Sequence, residues 1–227
     1  MSIVQVQNVT RSYQQGTHSV QALRGVDLNI KEGEFTVLMG ASGSGKTTLL
    51  NIIGGLDVAD SGRVEVDGKA FDQLSSAALS DVRLKRLGFV FQAYNLIPVL
   101  SAYENAEFVL LLQGMPAKER KQRVMETLKA VGLEGMEHRK PSELSGGQQQ
   151  RVAVARAIAG QPALVLADEP TANLDSKTSN ALIALMKDLN EKHNITFLFA
   201  THDPKVMKAA KRVVTMEDGL IISDETK

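Results

Sequence analysis

Short apolar runs alternate with stretches of helical spacing along most of the chain. Ile3, Val4, Val6 and Val9 are β-branched and predict sheet at the start. Val26, Leu28 and Ile30 alternate with Asp27, Asn29 and Lys31, the period-two pattern of a strand with one buried face. Lys31-Glu32-Gly33-Glu34 predicts a turn, and Phe35–Met39 a short, fully buried strand. Glycine-rich sequence from Gly40 to Gly45 leads into helical sequence over Lys46–Ile53, which stops at Gly54-Gly55. Strands are predicted again at Ser61–Gly68, Leu87–Phe91, Leu164–Ala167 and Thr196–Ala200. Helices are predicted over Gly146–Ala159, Lys177–His193 and Lys205–Ala210. A last hairpin turns at Glu217-Asp218-Gly219, between Val213-Val214 and Leu220-Ile221-Ile222.

Between about 93 and 145 the character changes. Helical patches cover Ala102–Gln113 and Ala117–Ala130, strand formers are few, and Pro98, Gly114-Met115-Pro116 and Pro141 punctuate the segment. The organisation expected is one α/β domain spanning 1–227. Its core is 1–92 and 146–227, and a helical subdomain is inserted at about 93–145. Met39, Met115, Met125, Met186 and Met207 are expected to fill core, and His18, His138 and His193 to lie at the surface.

Composition narrows the classes. The 227 residues are 43% hydrophobic and 23% charged, as in ordinary globular protein. Lys+Arg and Asp+Glu both number 26, which argues against a partner recognised by coating a polyanion, so no nucleic acid is expected. With no cysteine, disulfides, thiol catalysis and cysteine–metal sites are excluded. The four histidines lack ligand spacing for zinc. The longest aliphatic run, Phe108–Leu112, is far short of the roughly 20 residues of a membrane span, and the first residues do not predict a secretory signal. The chain is expected to be soluble and to work at a membrane only through a partner.

Gly40-Ala41-Ser42-Gly43-Ser44-Gly45-Lys46-Thr47 matches GxxxxGK[ST] between a predicted strand and a predicted helix. Its glycines let backbone N–H groups close around phosphate oxygens, and the helix directs its positive end to the same point. Lys46 is placed to reach the β- and γ-phosphates and Thr47 to ligate Mg²⁺, with Ser44 and Thr48 close by. Leu164–Ala167 runs into two carboxylates, Asp168 and Glu169. At the end of a buried parallel strand Asp168 would serve Mg²⁺, mostly through water, and Glu169 would act as general base on the attacking water. In Ser142–Arg151, Ser145 is a good N-cap and Gly146-Gly147 open a helix with bare backbone, a second helix-terminus anion site.

Leu144-Ser145-Gly146-Gly147-Gln148 together with the P-loop resembles the nucleotide-binding subunit of ATP-binding cassette (ABC) transporters, over essentially the whole chain. The resemblance implies a P-loop NTPase fold, a RecA-like α/β core with an antiparallel β region and an inserted helical subdomain. It implies an ATPase with ATP and Mg²⁺. It also implies a head-to-tail homodimer in which Ser145, Gly146, Gly147 and Gln148 of one copy cap the nucleotide on the other copy's P-loop. By the same match Tyr13 resembles the aromatic that stacks on adenine, and Gln92 the glutamine that touches Mg²⁺ and the water. His202 resembles the histidine that contacts the γ-phosphate. Ala172-Asn173-Leu174-Asp175 resembles the loop that links the two sites across the dimer. Here Ala-Asn replaces the usual Ser-Ala, so Asp175 alone is carried over.

Asn95–Leu100, apolar for a loop, resembles the segment that lines the family's permease groove, the other reading being that these side chains pack the helical subdomain. Asn51–Asp57, Phe91–Pro98, Tyr103-Glu104-Asn105 and Pro170–Ser176 resemble the lipoprotein-release and macrolide-export subgroup. That implies a separate integral-membrane permease, with this chain peripheral on the cytoplasmic face of the inner membrane. Three other readings share motifs. A chromosome or DNA-repair ATPase would insert a long coiled coil between the motifs, yet Lys46 and Asp168 are only 122 positions apart without sustained heptads. A translation factor of this type carries two cassettes, and a non-hydrolysing module would not need Glu169 and His202.

Overall fold

The computed structural model describes residues 1–16 and 18–227, without the side chain of Gln15. Two sheets share the chain. β1 (Ser2–Gln15), β2 (His18–Lys31), β4 (Ser61–Val66) and β5 (Lys69–Ala70) form an antiparallel sheet in the order β2-β1-β4-β5. The second sheet has the order β10-β9-β3-β8-β7-β6. Its strands are β3 (Phe35–Met39), β6 (Leu87–Phe91), β7 (Leu164–Asp168), β8 (Thr196–Thr201), β9 (Arg212–Glu217) and β10 (Leu220–Thr226). All its neighbours run parallel except the terminal β9–β10 hairpin. The expected fold class is borne out, including Val26, Leu28 and Ile30 buried and Asp27, Asn29 and Lys31 exposed.

Register does the work of assembly. Met39 pairs with Thr201, Asp168 with Ala200, and Phe91 with Asp168. Four strands therefore end together along one edge. The residues that follow them (Gly40, Gln92, Glu169 and His202) come from distant parts of the chain to one rim, where open parallel sheets bind ligands. The strands carry β-branched and aromatic residues on both faces, as a doubly covered sheet requires. One face packs on α1 (Lys46–Ile53), with Leu49, Leu50, Ile52 and Ile53 buried under the antiparallel sheet. The other packs on α5 (Gly146–Ala159) and α6 (Ser176–His193).

α3 (Ala102–Leu112) and α4 (Ala117–Ala130) carry Ala102, Ala106, Leu110, Val124 and Leu128 into the same core as Val152, Val154 and Ala155 of α5. α5 is thus common to the helical part and the sheet. Ser101 and Glu104 start α3 with a capping box, and Pro116 precedes α4.

Two details depart from the sequence reading. α2 (Ser76–Arg86) is a helix the pattern did not announce. Only Val82 is buried, so it has no apolar stripe to read, and its one local signal is Ser75, whose hydroxyl accepts from Ala78 N at 3.2 Å. Met125, expected in the core, is exposed. The buried stripe of α4 runs through Val124, Thr127 and Leu128, and Met125 lies one position off it.

Candidate active site

The P-loop encloses its own lysine. Nζ of Lys46 donates to the carbonyls of Gly40 and Ala41, each at 2.8 Å, and the residue is buried. Burial pulls its pKa down, against the upward pull of Glu169 and Asp168. Gly45 is the N-cap of α1 with φ 101°, a left-handed conformation that suits glycine, and no side chain caps the helix. Its first N–H groups are therefore left for an external anion. Ser44 Oγ is buried without a partner, an unmet hydroxyl inside the same loop. Gly40 has no room for a Cβ, which would stand 2.2 Å from Met216 O and 2.6 Å from Ser44 Oγ.

A cavity of about 470 Å³ opens over this loop. It is lined by Tyr13, Ala22, Ser42, Gly43, Gly45, Lys46, Thr47, Thr48, Gln92, Asp168, Glu169, Ala172 and His202. Hollows as large or larger lie elsewhere, but among the described residues only this one gathers the P-loop with the carboxylates at the strand ends.

Thr47 Oγ1 donates to Asp168 Oδ1 at 3.2 Å, so hydroxyl and carboxylate already meet at one point. Burial raises the pKa of Asp168, while the Thr47 bond lowers it. Thr47, Asp168 and the amide oxygen of Gln92 are all hard oxygen donors, the set Mg²⁺ accepts. Among the described residues no three His, Asp or Glu side chains are placed to bind a metal by themselves, so water and phosphate would complete the shell of an ion held here. The residues present fit the ion.

Glu169 is held on both oxygens. Thr201 Oγ1 donates to Oε2 at 2.9 Å, and Nδ1 of His202 lies 2.7 Å from Oε1. Its backbone sits at φ 45°, a left-handed value that is costly for a side chain with a Cβ. Its N–H still donates to Ala200 O at 2.9 Å, which extends the β7–β8 ladder by one step before the chain turns. Past the turn, Glu169 lines the same cavity as the P-loop.

Tyr13 lines the cavity as well. Gln92 lines it too, yet its amide is turned toward Asn173. Asn173 Nδ2 donates to Gln92 O at 2.9 Å, and Gln92 Nε2 lies 3.4 Å from Asn173 Oδ1. Asn173 is thus where the departure from the family's usual loop has a structural effect.

The second glycine loop lies outside this cavity. Ser145 and Gln148 close a capping box on each other: Gln148 N donates to Ser145 Oγ at 3.3 Å and Ser145 N to Gln148 Oε1 at 2.9 Å. A Cβ on Gly146 would meet Tyr94 Oη at 2.8 Å, and one on Gly147 would meet Thr178 Cγ2 at 2.3 Å. Asp175 caps α6, accepting from Lys177 N, Thr178 N and Thr178 Oγ1. None of these residues lines the cavity of its own chain.

Sequence reasoning missed the supports of the site. Thr201 was hidden as the last residue of a strand. Gln150 is fully buried on α5 and donates to Phe91 O at 3.3 Å and Pro170 O at 2.9 Å. It shares a helix face with Ala153, Val154 and Ala157, and a polar residue on an apolar stripe was the available signal. Arg156, whose pKa burial lowers, donates to the carbonyls of Tyr94 (2.9 Å) and Asn95.

The sequence profile of the family described as ABC transporter matches residues 23–172. The chain is 45% identical to the ABC transporter ATP-binding protein MJ0796 of Methanocaldococcus jannaschii, across 98% of this chain and 97% of that one. It is 42% identical to the macrolide export ATP-binding/permease protein MacB of Mannheimia succiniciproducens, across 100% of this chain but 35% of MacB. In structure it resembles the dimeric post-hydrolysis state of MJ0796 bound to ADP and Pi, with a TM-score of 0.90 and 98% of each chain covered.

Proposed function

The chain belongs to the ABC transporter family of ATP-binding proteins, and we propose that it is the ATPase subunit that drives a separate membrane permease. The observation that carries this reading is the shared strand edge. It puts Lys46, Thr47, Gln92, Asp168, Glu169 and His202 around one cavity and leaves Ser145–Gln148 outside it. A cavity without its cap is what a head-to-tail homodimer completes, with the cap of each copy closing the other's site. The dimeric relative and the fused ATP-binding/permease relative both support it.

In this reading ATP lies with its phosphates on the α1 N-terminus and Lys46, and its base toward Tyr13. Thr47, Asp168 and Gln92 would hold Mg²⁺, which when bound neutralises charge on the phosphate oxygens. Glu169 takes the proton of the attacking water, its Oε2 fixed by Thr201 and its Oε1 beside His202. His202 is mostly open to solvent, with 71% of its side chain exposed, and can donate to a phosphate oxygen that enters the cavity. Loss of the γ-phosphate removes contacts that hold the two copies together, a ligand-driven two-state element.

A second hollow, of about 290 Å³, is lined by Arg83, Phe89, Phe91, Asn95, Val109 and Arg156. Val99, Phe108, Leu111 and Leu112 are exposed apolar side chains on the loop and helix of the same part of the fold. We assign this surface to the permease. Among the described residues no helix is long and apolar enough to cross a membrane, so attachment would run through that partner at the cytoplasmic face. The subgroup likeness makes an export or lipoprotein-release permease the expected one.

The test is to incubate tagged Glu169→Gln protein with ATP and Mg²⁺ and follow its size. A dimer that needs ATP is expected, and a monomer would refute the sandwich. Capture of a permease with a large periplasmic domain from detergent-solubilised membranes is expected in the same experiment. Recovery of DNA-associated proteins alone would return the chain to the chromosome-ATPase reading.

A further inference from the structure

The ring of Tyr13 is clamped from outside the cavity. Its hydroxyl donates to Asp57 Oδ2 at 2.5 Å, and the guanidinium of Arg11 lies over the ring at 4.8 Å from the centroid. Arg11 bridges two carboxylates, Asp57 at 2.7 Å and Asp60 at 2.8 Å. Asp60 in turn accepts from Ser12 N at 2.6 Å, while its own N–H donates to Thr10 O at 2.9 Å. The β1–β2 register shifts between Arg11 and Ser12, the kind of irregularity that re-aims a side chain. Tyr13 lines the nucleotide cavity, whereas Arg11, Asp57 and Asp60 do not. Arg11 therefore packs on the ring from outside the cavity lining, while the ring itself lines the cavity.

Asp57 is also fastened to the P-loop helix. Its N–H and that of Leu56 donate to Asn51 O, at 3.2 and 2.8 Å, as the chain leaves α1. The same helix presents Lys46 and its free N–H groups at its other end. Its start thus sets the phosphate position, and its exit sets the position of the aromatic ring.

We propose that Asp57 is a positioning residue for the adenine platform: through Tyr13 Oη, and with Arg11 behind the ring, it fixes the stacking face at a set distance from the phosphate loop. This rests on the reading of Tyr13 as the residue that stacks on adenine. A ring held before the base arrives loses little rotational freedom on binding, so the restraint strengthens binding of the base without touching it.

Direct binding separates the two ideas. Dissociation constants for ATP and for inorganic tripolyphosphate, which has no base, would be measured by titration calorimetry on the whole chain. Tyr13→Phe keeps the ring and removes only the hydroxyl. Tyr13→Phe, Asp57→Ala and the double variant are each expected to weaken ATP binding about fivefold, the effect of one hydrogen bond, without summing. Tripolyphosphate affinity should stay at the wild-type value in all three. If Asp57→Ala weakens both ligands equally, Asp57 acts on the P-loop helix and the proposal is overturned. If Tyr13→Ala weakens ATP while Tyr13→Phe and Asp57→Ala do not, the platform stands and the positioning role falls. If Tyr13→Ala leaves ATP unchanged, the adenine reading itself fails.

Discussion

Glu169 and Thr201 are joined by a 2.9 Å hydrogen bond from hydroxyl to carboxylate, across the ends of two neighbouring parallel strands. Thr201 is fully buried and its Oγ1 also accepts from Asp203 N at 3.0 Å, so the hydroxyl has a fixed orientation. One carboxylate oxygen is thereby held, and the other faces His202. Thr201→Val removes the hold and leaves the shape. The expected result is a fall in kcat of about five- to tenfold with little change in KM, as follows from losing one charge-assisted bond to the base. Steady-state ATPase kinetics on the subunit with its permease would show it, and a change in KM alone would contradict it.

Glu169→Gln keeps the size of the side chain and removes the proton acceptor. Hydrolysis is expected to drop by about 10²- to 10⁴-fold, the range for loss of a general base. ATP binding should persist. Single-turnover measurement of phosphate release checks the first part and calorimetry the second.

Lys46→Ala removes the ammonium that now holds the Gly40 and Ala41 carbonyls. Both the loop and the phosphates lose their charge partner, so ATP binding weakens and turnover is abolished. Normal turnover in this variant would refute the phosphate site.

Asp168 gives a prediction with a sign. Burial raises its pKa above the ordinary 3.8. The folded state therefore holds this proton more tightly than the unfolded one. The contribution favours folding fully below the unfolded pKa and is lost as pH rises through the folded value. At neutral pH the ionised, half-buried carboxylate works against the nucleotide-free fold. Asp168→Asn should raise Tm at pH 7 without nucleotide, by about 2–4 °C for each kcal/mol relieved. The same variant should lose the further rise that ATP and Mg²⁺ give the wild type. A lower Tm without nucleotide would show that the carboxylate is structural.

Gln150→Leu takes the buried amide donor from Pro170 O and leaves Phe91 O with Tyr94 N alone. A loss of about 1–3 kcal/mol in stability is expected, read as a lower urea midpoint. Those carbonyls stand just before Gln92 and just after Glu169, so the same change should slow hydrolysis beyond what the lower stability explains.

Much of this protein was legible in residue order alone. The strand Phe35–Met39 and the helix Gly146–Ala159 have the bounds the pattern predicts, because their apolar runs end at glycines or turns that local sterics enforce. The P-loop and the Asp168-Glu169 pair were readable because their chemistry depends on contiguous residues. α2 was not legible, since one buried residue makes no period. Met125 was misplaced because helical phase decides burial and hydrophobicity does not.

The tertiary structure decided what holds the chemistry in place. Thr201 under Glu169, Asn173 against Gln92, Gln150 beneath both strand exits and Asp57 behind Tyr13 are pairings across 32, 81, 59 and 44 positions of sequence. No local period encodes such distances. They follow from the register of parallel strands and the packing of α5 and α1 on opposite faces of the sheet, which bring remote side chains within hydrogen-bond reach. Sequence alone determined the chemical groups and the strand or helix that carries each, because both depend on near neighbours along the chain. The folded structure determined which way each group faces and what restrains it, because burial and hydrogen bonding are settled only between segments.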